Sequence, residues 1–278
     1  MKASVLIPAY NEEALIGGVL DSLTSGLEPG EVEVFVLCNG CRDRTAAIAR
    51  EFEDRGVRVI EIERASKTNA LNVGDSEAAV FPRIYLDGDV QLSSRSLRLL
   101  VERLSMGDVP AAEPRPRFET GASSLAVRIY YSVWQALHGQ EPGRVGSGVV
   151  ALSAGGRERF GEFPEIIADD AYLRRQFARG ELVHAPGATS IVQAPRDLSS
   201  LVKIKTRSRR GSVELERLFP SMELDGPGLL QRLGRVPVRL WLLVPAYLFI
   251  TLWIRRSSRQ ALAARFEGWE RDESSRSR

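Results

Sequence analysis

The 278-residue sequence predicts an α/β fold with a mostly parallel central sheet and helices on both faces. Three observations carry that expectation. Short apolar runs end in turn residues, amphipathic helical patterns lie between them, and the connections are a few residues long. In sheets of this kind ligands bind beyond the carboxyl ends of the strands, so the loops there are where chemistry is expected.

The elements follow in order. Ser4-Val5-Leu6-Ile7 is an apolar run ended by Pro8 and reads as a buried strand. Residues 13–23 read as a helix with Leu15, Ile16, Val19, Leu20 and Leu23 on one face. Residues 31–37 are the second strand, 45–55 the second helix and 57–62 the third strand. Residues 67–80 read as helix and 83–86 as the fourth strand. Four strand ends therefore matter: 8–12, 38–43, the segment around Lys67, and 87–89.

After residue 105 the alternation weakens. Residues 109–117 hold three prolines and are expected to run extended along the body. Residues 124–137 form an amphipathic helix, and the glycine-rich stretch 143–153 turns into a strand at 148–152. Residues 168–180 read as a helix with Asp near its start and Gly after its end. There is no internal repeat.

Composition limits the function classes. Hydrophobic residues make up 44% and charged residues 27%, which excludes collagen-like and wholly disordered chains. The net charge of +2 points to no nucleic-acid partner by itself. The balance is uneven: residues 201–278 hold 16 Lys/Arg against 8 Asp/Glu (+8), the first 200 hold 22 against 28 (−6). An acidic front and a basic tail imply a catalytic body and a segment that meets anions such as lipid head groups. Two cysteines, Cys38 and Cys41, are too few for a disulfide framework and point to a reducing compartment. No targeting segment is legible, since residues 1–7 are short for one and Glu12 and Glu13 follow at once.

Two carboxylate pairs stand out. Asp87-Gly88-Asp89 follows an apolar strand, and both side chains of an i, i+2 pair can point the same way. Two carboxylates so placed repel unless a cation neutralises them, and oxygen ligands suit Mg²⁺ or Mn²⁺, which also take phosphate oxygens. A solvated turn is the plain alternative. Asp169-Asp170 is the second pair. It reads either as a helix cap or as a general base, because a neighbouring acid raises proton affinity.

Four motifs in order resemble the family-2 glycosyltransferases, inverting nucleotide-sugar enzymes with the Rossmann-like GT-A fold. Residues 5–12 (Val-Leu-Ile-Pro-Ala-Tyr-Asn-Glu) resemble their opening strand and turn. Lys67-Thr68-Asn69-Ala70-Leu71-Asn72 resembles their Lys-x-x-Ala-Leu-Asn segment, Asp87-Gly88-Asp89 their Asp-x-Asp motif, and Asp169-Asp170 their acidic base.

The resemblance implies a catalytic domain over 1–215, with a nucleotide-sugar-binding half (1–105) and an acceptor-binding half (106–215). It implies roles too. Asp89 would hold the divalent cation on the donor diphosphate, and Asp87 would contact the ribose or a metal-bound water. Asp170, beside Asp169, would take the proton from the acceptor hydroxyl. Pro8, Ala9, Tyr10 and Glu12 would line the nucleotide site, with Lys67 approaching the donor. The partners implied are a UDP- or GDP-linked sugar and a saccharide or lipid-linked acceptor.

The departures are as informative. Where the family carries Asp-Asp-Gly-Ser-x-Asp, this chain has Cys38-Asn39-Gly40-Cys41-Arg42-Asp43, so Asn39 would meet the base without charge. The Gln-x-x-Arg-Trp motif of processive synthases is missing; residues 203–211 read as a basic loop, with Arg207, Arg209 and Arg210 as possible phosphate contacts. Its absence favours transfer of a single sugar. A polyprenyl-phosphate acceptor, a sugar-phosphate nucleotidyltransferase and a non-catalytic nucleotide-sugar binder are the alternatives.

Residues 240–254 are uncharged and bounded by Arg239 and by Arg255-Arg256. At 1.5 Å per residue such a stretch covers roughly 22 Å of a core about 30 Å thick, so a re-entrant or interfacial helix suits it better than a full span. Trp241, Tyr247 and Trp253 prefer the head-group zone. Residues 216–270 are thus expected to associate with a membrane, on the cytoplasmic face, and 271–278 to be a disordered tail. The Cys38-x-x-Cys41 spacing invites a redox or zinc reading, but His138 and His184 lie far off in sequence. The expected outcome for a Cys38→Ser, Cys41→Ser double variant is retained transfer activity; loss of activity restored only by thiol chemistry would establish the redox reading instead.

Overall fold

The computed structural model describes residues 2–28, 30–139, 141–143, 146–221, 229–234 and 236–263, so the expected tail at 271–278 lies outside the described residues. The strands are β1 (Ser4–Ala9), β2 (Glu33–Asn39), β3 (Val57–Ile62), β4 (Arg83–Leu86), β5 (Val90–Leu92), β6 (Ala111–Glu119), β7 (Val149–Leu152) and β8 (Leu182–Gln193). The helices are α1 (Ile16–Thr24), α2 (Thr45–Arg50), α3 (Lys67–Glu77), α4 (Ser94–Ser105), α5 (Leu125–His138), α6 (Ala154–Arg157), α7 (Asp169–Arg174), α8 (Leu198–Leu218), α9 (Leu229–Leu233) and α10 (Val244–Ala263).

The strands form one sheet in the order β3-β2-β1-β4-β7-β6-β8-β5. The first four are parallel, with β1 central between β2 and β4. β7 runs antiparallel to β4 and β6, and β8 antiparallel to β5. Alternation along the parallel strands sorts the two faces. Val5, Ile7, Val34 and Val36 join Ile16, Val19, Leu20 and Leu23 of α1 in one cluster. Leu6 and Leu37 face the other way, onto α3 at Gly74, where an added Cβ would stand 2.6 Å from Leu37 Cδ1.

The chain forms two compact units interleaved in sequence. Unit 1 comprises residues 1–117, 146–165 and 176–192; unit 2 comprises 118–145, 166–175 and 193–278. Unit 2 has its own core, in which Val127, Tyr130, Val133 and Leu137 of α5 pack with Leu201 of α8 and with Tyr247, Ile250 and Ile254 of α10.

Three expectations are corrected. Residues 203–211 are not a loop: they lie inside the 21-residue helix α8. The helix expected over 45–55 is α-helical only over Thr45–Arg50, with a 3₁₀ turn at Glu53–Arg55. The helix expected over 168–180 covers only Asp169–Arg174.

Inside unit 1, Asp75 of α3 holds a buried polar knot. Its carboxylate accepts from Arg83 Nη1 (2.8 Å), Arg157 Nε (3.0 Å) and the Tyr85 hydroxyl (2.8 Å). Burial, then the adjacent Asp75 charge, pushes the Tyr85 phenol up. Removing the acid would strand two guanidinium groups in the core. Asp75→Ala is expected to cost about 3–5 kcal/mol in denaturant unfolding; a loss under ~1 kcal/mol would contradict the knot's structural role.

Candidate active site

The carboxyl ends of β1, β2 and β4 bring most of the expected donor residues together in unit 1. β4 ends at Leu86, and Asp87-Gly88-Asp89 turns directly into β5. The Asp87 N–H donates to the Gly148 carbonyl at 2.8 Å. Gly148 adopts φ +64°, and a Cβ there would meet Val90 Cγ2 at 2.4 Å and Asp87 Oδ2 at 3.3 Å. A Cβ at Gly88 would stand 3.1 Å from the Pro8 carbonyl and 3.4 Å from Glu12 Cγ. Glycine on both sides is what allows the acidic turn to lie against the β1 end.

Lys67 is the first residue of α3, after the cap Ser66, whose hydroxyl accepts from the Asn69 N–H. Its Nζ reaches Asp87 Oδ1 at 2.7 Å, with both side chains partly buried. A lysine in the first helical turn opposes the helix dipole, and the pair with Asp87 offsets that cost. Asn72, in the same motif, has a different task. Its side chain pairs both ways with the Phe163 backbone, at 3.0 and 2.7 Å, and anchors the segment that runs on in sequence to Asp169. The motif pattern carried Asn72, but nothing in its spacing indicated this clamp.

The turn after β1 is fixed from both ends. The Glu12 N–H donates to Thr45 Oγ1 at 2.7 Å. Asn11, at φ +51°, accepts from the Arg42 N–H through Oδ1 at 2.8 Å. Cys41 Sγ lies 3.4 Å from both the Asn11 nitrogen and the Ala9 carbonyl. Cys38 and Cys41 are free thiols, and the hydrogen bond between them drives Cys38 up and Cys41 down. Pro8, Ala9 and Glu12 are buried and Tyr10 is half-buried.

Asn39 ends β2 and is buried. Its Nδ2 donates to the Ala9 carbonyl at 2.8 Å and more weakly to the Leu37 carbonyl at 3.4 Å. An amide, unlike a carboxylate, can point a donor at those carbonyls and keep its oxygen for an N–H of a ligand.

Asp169 and Asp170 open α7 in unit 2. Asp169 is buried, whereas the Asp170 side chain is 49% exposed and pairs with the buried Arg174 at 2.7 Å. The approach to this helix is held by α8: Glu214 Oε2 accepts from the Ile167 N–H at 2.8 Å. Gly211 lets α8 come close, since a Cβ there would stand 2.8 Å from Ala168 Cβ. On the same helix Arg209 is exposed, and Arg207 and Arg210 are half-buried.

The chemistry at the acidic turn fits a divalent cation. Among the described residues no group of three or more His, Cys, Asp or Glu forms a preformed metal cage. Magnesium-type sites of the open kind use one or two carboxylates and complete themselves with phosphate oxygens.

The chain's relatives bear on this geometry. Residues 4–137 match the sequence profile described as glycosyl transferase family 2. Glycosyltransferase AglE of Haloferax volcanii is 38% identical over 90 residues, which cover 31% of this chain and 30% of that protein. Glycosyltransferase AglD of the same organism is 32% identical over 119 residues, covering 40% of this chain and 19% of that one. The chain thus matches under a third of the length of these curated relatives. Among solved structures, the mannosyltransferase PcManGT from Pyrobaculum calidifontis, in complex with GDP-Man and Mn²⁺, superposes with TM-score 0.61 at 20% identity, over 94% of this chain and 74% of that one. Glucosyl-3-phosphoglycerate synthase from Mycobacterium tuberculosis, with Mn²⁺, UDP and glucosyl-3-phosphoglycerate, gives 0.55 at 21% identity, over 82% and 83%. At these identities the likeness establishes the GT-A fold.

Asn39→Asp is expected to destabilise the protein by about 1–3 kcal/mol, because a carboxylate would face the Ala9 carbonyl without a proton. An unchanged unfolding midpoint would show that the amide donor is dispensable.

Proposed function

From the match of residues 4–137 to glycosyl transferase family 2, we propose that the chain is a member of that family and a metal-dependent, inverting transferase of a single sugar. The donor is a UDP- or GDP-linked sugar, and the acceptor is the hydroxyl of a membrane-linked saccharide or glycan. The enzyme works at the cytoplasmic face of the cell membrane. The observation that carries this reading is the Asp87-Gly88-Asp89 turn with Lys67 on Asp87.

Asp89, with Asp87 beside it, would hold Mn²⁺ or Mg²⁺. When bound, that cation neutralises charge on the diphosphate leaving group. Lys67 keeps Asp87 oriented and adds positive charge at the donor side. Pro8, Ala9, Tyr10 and Glu12 line the nucleotide site, and Asn39 offers its oxygen to the base. Asp170 takes the acceptor proton, with Asp169 next to it. For that the Arg174 pair has to loosen, because a carboxylate held by a guanidinium is a poor proton acceptor. Arg207, Arg209 and Arg210 supply cations from α8 rather than from a closing loop. One displacement with one base inverts the anomeric centre.

The missing Gln-x-x-Arg-Trp motif supports one transfer per acceptor. A polyprenyl-phosphate acceptor is the second reading, favoured by the apolar outer face of α10; its product would carry a sugar-phosphate bond cleaved by mild acid.

Two variants separate the roles. Asp89→Ala should lose metal-dependent donor binding, measured by calorimetry. Asp170→Asn should bind donor nearly as well and lose turnover by about 10²–10⁴-fold. Equal loss of donor binding in both would overturn the separate assignments.

A further inference from the structure

Within unit 2, a 3₁₀ turn at Val238–Leu243 leads into α10, and the two present different faces. Val244, Tyr247, Ile250, Ile254 and Ser258 are buried, spaced by three or four residues, and form one stripe. That stripe packs on α5 and α8. The Tyr247 ring lies 5.3 Å from that of Tyr130, and the buried Ser258 and Thr206 hydroxyls are 3.1 Å apart.

The opposite face is apolar and open. Leu242 is 89% exposed, Phe249 73% and Leu252 63%, with Trp241, Leu248 and Trp253 close to half exposed. A monomer in water rarely keeps a contiguous patch of this kind uncovered. The patch then changes character within one turn: Arg255, Arg256 and Arg259 are exposed beyond it, and Arg239 is exposed before it. No Asp or Glu occurs from Val236 to Ala263.

By length and composition the stretch Val238–Arg259 could cross a bilayer. Its partners argue otherwise. α10 is docked along α8, which carries Lys203, Lys205, Arg207, Arg209 and Arg210. A crossing helix would carry those cations into hydrocarbon, where each is costly. An apolar outer stripe beside exposed arginines, with no acid among them, matches a leaflet with anionic head groups.

We propose that the 3₁₀ turn and α10 lie in the plane of a single leaflet, with Leu242, Phe249, Leu252 and Trp253 among the acyl chains. Arg255, Arg256 and Arg259 sit at anionic head groups. This segment is therefore monotopic, bound to one leaflet and not threaded through the bilayer. This deepens the membrane association in the function proposed above and rests on it.

The test uses the full chain and vesicles of phosphatidylcholine, alone or mixed with phosphatidylglycerol. Flotation should strengthen on the order of a hundredfold with the anionic lipid, given three arginines, and weaken in high salt. Leu242→Glu with Phe249→Glu should abolish flotation and leave UDP or GDP binding and the melting temperature unchanged. N- and C-terminal tags on sealed vesicles should be cleaved by protease from the same side. Tags on opposite sides would overturn the in-plane geometry while keeping membrane association. Flotation indifferent to the anionic lipid would overturn the arginine contact. No flotation on either vesicle would overturn the membrane reading itself, as would conversion of a soluble dimer to a monomer by the double variant. None of these outcomes depends on sugar transfer, so the catalytic reading stands or falls separately.

Discussion

Two carboxylates one residue apart at a strand end are the constraint to which unit 1 is fitted. Asp87 and Asp89 bring two acidic side chains to one turn, and the fold places Asp87 where a backbone acceptor and a lysine are both supplied. Gly148 gives its carbonyl to Asp87 and has no room for a side chain. Gly88 lets the turn meet the Pro8 carbonyl. Lys67 stands at the start of α3, against the helix dipole, and holds Asp87 at 2.7 Å. Asn11 takes a left-handed conformation in the facing turn. Lys67 and Asn11 depart from local preference, the glycines make the close approach possible, and all of them sit at strand ends above a core that is locally consistent.

Unit 2 meets a comparable demand with one long helix. α8 starts at Asp197, whose side chain accepts from the Ser200 N–H, and it holds the approach to Asp169-Asp170 through Glu214 and Gly211. The same helix carries the basic run and supports α10 on its flank. An acid pair, a cation set and a helix with an exposed apolar face thus share a single scaffold.

The parallel half of the sheet was legible because its strands are short and rich in apolar residues, with turn residues at their ends, and β1, β2 and β4 are buried almost throughout: 57–62 and 83–86 fall where the sequence pattern places them. The motif residues of the donor side were legible as types in order, and they do converge at neighbouring strand ends. The rest was obscured for physical reasons. α8 has Gly211 and a run of cations in its middle, which read as a loop; the glycine is there because Ala168 leaves no space for a Cβ. β8 is broken in pattern by Pro186 and by Gly187 at φ +78°, and its pairing with β5 lies about 100 residues back in sequence. α4 was not read from the sequence, although Leu97, Leu100, Val101 and Leu104 form one buried stripe after the Ser93 cap. The Asp170–Arg174 pair could be read as an i, i+4 spacing, but the burial of Arg174 could not.

The central claim is that the acidic turn and the β1 and β2 ends form a metal-dependent nucleotide site. Calorimetric titration of the protein with UDP and with GDP, each with and without Mn²⁺, tests it most directly. The account predicts that one nucleotide binds and that its binding needs the metal. Binding of neither, or binding indifferent to Mn²⁺, would contradict it.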